Sequence, residues 1–172
     1  MSDLEALYSF LNKQVDADMI SLLVSTTTSI INVPSANSNS NFGYLTPPPS
    51  PVDEVKLQIP SLTHFISRLI HHSHVQTPTL MTSLIYLNKL KMVIPPNSQG
   101  IETTHHRIFL GSLILAAKFT NDSSPMNKHW TKYTDGLLSL SEVNALEREL
   151  ISFIGWSNLS FTNKDLIKSL QY

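Results

Sequence analysis

Apolar residues recur along most of this chain at the spacing of one helix face, and the alternation typical of strands is rare. Between residues 59 and 172 the pattern predicts six helices, which we place at about 62–70, 77–90, 104–121, 127–138, 141–154 and 163–171. The third of these is apolar on nearly every face, which predicts that it is the central, buried helix. Its small residues should let neighbouring helices approach closely; they are Gly111, Ser112, Ala116 and Ala117. The pattern as a whole predicts an all-α fold.

Residues that favour helix ends support these boundaries. We predict Thr77 as the N-cap of the second of these helices, with Pro78 at its first position. The sequence SLSE at 139–142 is a capping box for the fifth helix, and Gly155 is predicted to end that helix. Thr162 is a candidate cap for the last helix.

The two tryptophans have roles that the sequence leaves open. Trp130 lies with Tyr133 on one side of the short fourth helix, which we expect to be well solvated. Trp130 is therefore either a core residue or an interface residue. Trp156 follows Gly155, and we expect it to pack at the end of the fifth helix.

The first 32 residues predict two short helices. Apolar positions from Leu4 to Leu11 form the face of the first helix, and Asp16 is suited to cap the second. Helices as short as these are not stable alone, so we expect both to pack on the rest of the chain.

Residues 33–58 are rich in Ser, Asn and Pro. A segment of this composition buries too little apolar surface to offset its chain entropy, so we predict a linker or an exposed loop. Within it Thr46 and Ser50 precede prolines, and both are candidate sites of proline-directed phosphorylation. The alternatives are a linker that is not modified and a proline-rich ligand for an SH3 or WW domain.

Two charged residues fall on apolar helix faces. Lys118 lies within the run ILAAKF of the third helix, and Glu147 lies on the apolar stripe of the fifth, four residues before Ile151. An unpaired buried charge costs on the order of several kcal/mol, so we expect Lys118 and Glu147 to pair where the two helices cross. A structural ion pair, a lysine whose amine reaches solvent, and a pair that also faces a partner chain all remain open.

Composition narrows the classes of function. The 172 residues carry a net charge of −1 and include no cysteine, and the N-terminus lacks the segments of a signal peptide. The longest apolar stretch, at 108–119, is too short to span a bilayer. We therefore expect no membrane, secreted or disulfide-rich protein, and no strong attraction to nucleic acid.

The seven histidines form no recognisable metal motif. His71 and His74 are three residues apart, but no His-Glu-x-x-His pattern occurs and no acidic residue lies near His71. We expect no metal, no cofactor and no small-molecule ligand. We also see no nucleophile near Lys118 and Glu147 that would indicate catalysis.

Three separated motifs resemble a cyclin box. They are YLNKL at 86–90, LAAKF at 115–119 and the glutamate of LEREL at 146–150, in the order of the family's second, third and fifth helices. Further stretches are similar to the fungal Pcl subfamily, namely TPTL at 77–80, HRIFL at 106–110, NDSSP at 121–125 and NKHWTKYTDGL at 127–137, together with the first thirty residues.

The resemblance covers about residues 59–160 and implies a five-helix cyclin box. About twelve residues follow Ser160. We therefore expect a single box at 59–160, with N-terminal helices at 1–32, the linker at 33–58 and one extra C-terminal helix at 161–172.

The resemblance further implies a regulatory subunit, not an enzyme, that binds and activates a cyclin-dependent kinase. The family's kinase contacts fall on Lys118 and Glu147, with apolar contacts at Leu115, Phe119, Ile151 and Trp156. Pcl cyclins form a heterodimer with a proline-directed Ser/Thr kinase of the Pho85 type and direct it to protein substrates. The expected processes are G1 progression, morphogenesis or nutrient control, in the nucleus and cytoplasm.

Two other functions compete with this interpretation. A cyclin-fold adaptor or a transcription-factor-like module would share the fold without activating a kinase, since fold alone does not decide function. A nucleic-acid-binding version needs a basic face, and the twelve Lys and Arg residues are thinly spread. A small helical enzyme needs titratable groups that converge in a pocket, and only Lys118 and Glu147 are candidates.

Overall fold

The computed structural model describes residues 2–35 and 58–171. Most of the predicted linker, with Thr46 and Ser50, lies outside these residues. Within the described ranges the regular elements are helices, as the sequence predicted. They are α1 (Asp3–Leu11), α2 (Ala17–Thr28), α3 (Leu62–Ser73), α4 (Thr77–Val93), α5 (Thr104–Thr120), α6 (Asn127–Tyr133), α7 (Leu140–Ile154), a 3₁₀ turn (Trp156–Asn158) and α8 (Asn163–Leu170).

Helix α5 is the centre of the fold, as its apolar pattern predicted. Its residues from Ile108 to Ala117 are all buried, and α2, α3, α4 and α7 pack around it. Gly111 makes the contact with α7 possible. A Cβ atom built at Gly111 would lie 1.8 Å from Cδ1 of Leu150, which is itself buried. Only a residue without a side chain leaves room for this leucine.

The two N-terminal helices pack on the helices α3 to α8, as their short length required. Helix α2 lies against α3, α4 and α5, and its Leu23 is fully buried; α1 contacts α8. The apolar face of α1 is only partly used, because Leu7 is buried while Leu4 and Tyr8 stay exposed. The segment after α2 is tied to the loop before α5 by a hydrogen bond, in which the Gly100 N–H donates to the Asn32 carbonyl over 2.8 Å.

The predicted helix ends are largely confirmed, with one correction. Ser139 and Glu142 form the predicted capping box of α7, and Gly155 ends α7. Thr162 is the N-cap of α8, where its N–H and its hydroxyl both donate to the Asp165 carboxylate. Thr77 is not the N-cap of α4, because that position belongs to Gln76. The Thr77 hydroxyl instead donates to the Lys13 carbonyl over 2.6 Å, in the loop between α1 and α2.

The structure decides between the two roles left open for Trp130, and shows it to be a core residue on a helix whose other residues are partly or fully exposed. Trp130 is completely buried, with its ring edge-on to Tyr133. Helix α6 also stops at Tyr133, five residues before the predicted end. Asp135 and Gly136 follow with positive φ angles of 54° and 81°, a backbone conformation that cannot continue a right-handed helix.

In the part of the chain that the structure covers, no helix has both the length and the apolar character needed to cross a membrane.

Candidate functional site

Lys118 and Glu147 form the predicted ion pair. The Lys118 ammonium lies 2.7 Å from Oε1 and 2.9 Å from Oε2 of Glu147, so it bridges both carboxylate oxygens. The pair is less buried than the apolar pattern suggested, because 39% of the lysine side chain and 17% of the glutamate side chain are exposed. Lys118 is in the last turn of α5, where the helix reaches the surface.

The Glu147 carboxylate is held in place by a residue that the sequence analysis missed. Asn127, the first residue of α6, donates through its side-chain nitrogen to Oε2 of Glu147 over 2.8 Å. The same nitrogen donates to Oδ1 of Asn144 over 2.8 Å. An amide has two N–H donors, so both bonds can be made together. Helix α6 therefore fixes the orientation of a carboxylate on α7.

This arrangement leaves hydrogen-bonding capacity unused. A lysine ammonium has three N–H donors, and Glu147 uses two of them. Oε1 of Glu147 accepts from Lys118 alone among the described residues, and a carboxylate oxygen can accept two bonds. The pair thus presents one donor and one acceptor to any chain that covers it.

Large apolar side chains follow the ion-pair residues along α5 and α7. Phe119 directly follows Lys118 and is 51% exposed, and Ile151, one turn after Glu147, is partly buried. Trp156 is 76% exposed, so the expectation that it packs at the end of α7 was wrong. We refer to Lys118, Phe119, Glu147, Ile151 and Trp156 as the Lys118–Glu147 surface. Leu115, also expected at this site, is only 5% exposed and supports the surface from within the core.

The backbone explains why Trp156 is exposed. Gly155 has a φ of 86°, so the chain turns sharply at the end of α7. Two residues of α4 then hold the next turn: the Tyr86 hydroxyl donates to the Leu159 carbonyl over 2.8 Å, and Lys89 donates to the carbonyls of Asn158 and Ser160. The sequence analysis did not find this contact, because the partners are about seventy residues apart.

Burial keeps the Tyr86 hydroxyl in its donating form. The residue is fully buried, and desolvation raises the pKa of its hydroxyl to about 12. The neutral phenol therefore persists across the physiological range. The ring of Phe161, just beyond this turn, lies 5.7 Å from that of Phe119. This contact places the turn beside the end of α5.

The histidines have structural contacts. Nε2 of His105 is 2.8 Å from the Ile31 carbonyl, and Nε2 of His106 is 2.8 Å from the Pro60 carbonyl. Burial lowers the pKa of the His106 imidazole, although the Pro60 bond opposes this shift. No group of three His, Cys, Asp or Glu side chains that could hold a metal ion occurs within residues 2–35 and 58–171.

Comparison with known proteins identifies the family. Residues 53–158 match the family model of the cyclin N-terminal domain. PHO85 cyclin-2 of Saccharomyces cerevisiae is 52% identical over 170 residues, which are 99% of this chain and 51% of that protein. PHO85 cyclin-9 of the same yeast is 49% identical over 172 residues, which are 100% of this chain and 52% of that protein.

A more distant relative shares the same region. Cyclin-U4-3 of Arabidopsis thaliana is 27% identical over 124 residues, which are 70% of this chain and 53% of that protein. The chain thus spans about half the length of the curated relatives it matches. Helices α3 to α7 and the Lys118–Glu147 surface fall within the matched domain. This chain therefore belongs to the cyclin family.

Proposed function

We propose that the chain is the regulatory subunit of a proline-directed cyclin-dependent Ser/Thr kinase of the PHO85 type, which it binds as a heterodimer and activates. The similarity to proteins named PHO85 cyclins supports the choice of kinase. The observation that carries the proposal is the partly exposed Lys118–Glu147 pair, which keeps unused hydrogen-bonding groups. Exposed Phe119 follows Lys118 directly, and exposed Trp156 follows the end of α7.

The proposed surface has the composition of a protein interface centre. Interfaces are enriched in exposed aromatic residues, and a few such anchors contribute most of the binding energy. Phe119 and Trp156 are the anchors here, with Ile151 beside them. The remaining donor of Lys118 and acceptor of Glu147 suit backbone groups of the kinase, and would fix the register of the docked chain.

Activation follows from where a cyclin binds in this family. The docked cyclin presses on the mobile helix of the kinase and completes the internal Lys–Glu pair that positions ATP. The chain itself contributes no catalytic residue in this scheme. We propose that the complex reaches protein substrates of G1 progression, morphogenesis or nutrient control through the kinase, in the nucleus and cytoplasm.

The test compares two basic residues of the same helix. Lys118 and Arg107 are both cations of α5, and both pair with a glutamate of α7, at 2.7 Å and 2.8 Å. They are eleven residues apart, or roughly 16 Å along the helix, so Arg107 lies away from the proposed surface. Arg107→Ala is therefore a matched control for Lys118→Ala.

We would measure the affinity of each variant for a purified PHO85-type kinase by biolayer interferometry, and kinase activity on a Ser-Pro peptide. Lys118→Ala should weaken binding at least tenfold, or about 1.4 kcal/mol, and lower the activity, while Arg107→Ala should bind like wild type. Circular dichroism must show that both are folded. If the wild-type chain binds no kinase, the adaptor hypothesis replaces this one; if it binds without activating, only the activation step fails.

A further inference from the structure

The loop between α5 and α6 contains a motif that neither the fold nor the proposed docking requires. Ser124 is followed by Pro125 in a non-helical segment, residues 121–126. Ser124 is partly exposed, and its hydroxyl has no hydrogen-bond partner among the residues the structure describes. A serine that precedes proline, in an irregular segment and with a free hydroxyl, is a suitable substrate for a proline-directed kinase.

The other Ser/Thr-Pro pair in the described residues is not accessible to a kinase in the folded protein. Thr77 precedes Pro78 but is only 1% exposed. Its hydroxyl donates to the Lys13 carbonyl, and the residue is in the first turn of α4. A kinase could reach it only after local unfolding. Within residues 2–35 and 58–171, Ser124 is therefore the accessible site of this type.

Ser124 lies next to the Lys118–Glu147 surface along the chain. The loop leaves α5 just after Phe119 and ends at Met126, and these residues are 51% and 57% exposed. Three residues after Ser124, Asn127 donates to the Glu147 carboxylate. Three residues span at most roughly 11 Å, so the Ser124 backbone is close to the group that orients Glu147.

We propose that Ser124 is a phosphorylation site and that its phosphate weakens docking of the cyclin-dependent kinase on the Lys118–Glu147 surface. This inference rests on the proposed function. In the transfer, the Ser124 Oγ forms a bond to the γ-phosphorus of ATP. The bond between that phosphorus and the bridging oxygen breaks, ADP leaves with the electron pair, and the hydroxyl proton passes to the base of the modifying kinase.

The effect on docking follows from the added charge. A phosphoserine carries about −1.5 to −2 at pH 7. It would add this charge two residues after Asp122 and three residues before Asn127, which bonds the Glu147 carboxylate. A phosphate placed there would compete with Glu147 for the Lys118 ammonium. Covering the loop with a kinase would also require the phosphate to lose water, which is costly beside the apolar Phe119 and Met126. Both effects oppose binding.

The coupling must work in both directions. If the phosphate weakens kinase binding by a given factor, kinase binding opposes phosphorylation by the same factor at equilibrium. We therefore expect a bound kinase to protect Ser124. Phosphorylation would act on the free chain and limit its assembly.

The test treats the purified chain with ATP and an activated mitogen-activated protein kinase, which is proline-directed and needs no cyclin. Mass spectrometry then locates the phosphate in wild type, in Ser124→Ala, and in the matched control Ser123→Ala, whose serine does not precede proline. Biolayer interferometry gives the affinity of each treated and untreated protein for a catalytically inactive PHO85-type kinase. The inactive kinase is also added before treatment to test protection.

We expect phosphate on Ser124 in wild type and in Ser123→Ala, and at least tenfold weaker kinase binding by both after treatment. Treatment should not change the binding of Ser124→Ala, and prior complex formation should slow modification. If the untreated wild-type chain fails to bind the kinase, the proposed function and this inference fail together. If it binds, but Ser124 is not modified, or its modification leaves the affinity unchanged, the inference alone is overturned. The inference is also overturned if treatment weakens kinase binding by Ser124→Ala as much as it weakens binding by wild type.

Discussion

Gly111→Ala should destabilise the protein by forcing α5 and α7 apart. The new Cβ atom would lie 1.8 Å from Cδ1 and 3.1 Å from Cγ of Leu150, and 3.1 Å from Cγ of Leu146. Both leucines are buried, so neither can move into solvent without losing packing. Overpacking of this kind costs about 1–3 kcal/mol. An overlap this severe belongs at the upper end of that range.

The net effect also includes the helix preference of alanine. Replacing glycine by alanine in a helix gains about 1 kcal/mol, so we expect Gly111→Ala to lower the free energy of unfolding by about 2 kcal/mol. For a protein of this size that corresponds to roughly 4–8 °C in Tm. Because Gly111 is two helical turns before Lys118, on the same face of α5, kinase binding should weaken as well.

A double-mutant cycle with Leu150→Ala isolates the contact. Leu150→Ala alone should cost about 2–5 kcal/mol, since it opens a cavity, but it removes the atoms that the new Cβ meets. In this background Gly111→Ala should be neutral or stabilising by up to about 1 kcal/mol. The two substitutions are therefore expected to couple by at least about 2 kcal/mol in urea unfolding curves of the four proteins, followed by circular dichroism.

Additive effects would refute this reasoning. If the two substitutions add within about 0.5 kcal/mol, the Cβ atom is accommodated without moving Leu150. If Gly111→Ala raises Tm in the wild-type background, helix preference outweighs packing and α5 and α7 are not held at the distance the structure shows.

Three further predictions concern other contacts of the fold. Tyr86→Phe leaves the Leu159 carbonyl without its donor, so urea unfolding should show a loss of about 1–3 kcal/mol. The Ser139 N–H, followed by the Arg107 side chain, lowers the pKa of Glu142 from 4.5 to about 2. The stability this carboxylate adds should be complete above pH 4.5 and lost as pH falls to 2, so acid unfolding curves of wild type and Glu142→Gln should converge there. Burial lowers the pKa of the His106 imidazole below 6.5. The stability that the neutral imidazole contributes is therefore present above pH 6.5 and is lost as pH falls through the pKa of the folded state. A proton-NMR titration with a midpoint at or above 6.5 would contradict this.

Local patterns in the sequence determined the secondary structure of this chain. Helix periodicity predicted α5 as the buried centre, and capping residues predicted both ends of α7 and the start of α8. These signals depend on residues within four positions of each other, and such neighbours meet in any helix whatever the rest of the chain does.

The ion pair was predictable for a different reason. Lys118 and Glu147 each stand on an apolar stripe, and a charge on a face that packs against another helix needs a partner. Lys118 was the one cation within the apolar run of α5, and Glu147 the one carboxylate on the apolar stripe of α7, so we paired them. Their partial exposure could not be predicted, because it depends on where α5 and α7 end relative to the surface.

Tertiary structure alone decided the remaining features. Trp130 stands on a polar, seven-residue helix, and its complete burial results from α3 and α7 closing over α6. Asn127 finds Glu147 twenty residues away, and Tyr86 finds a carbonyl 73 residues away. Hydrogen-bond partners at such separations are set by how helices are placed in space. A periodicity in consecutive residues determines which face of a helix is buried, but it holds no information on which distant group that face will meet.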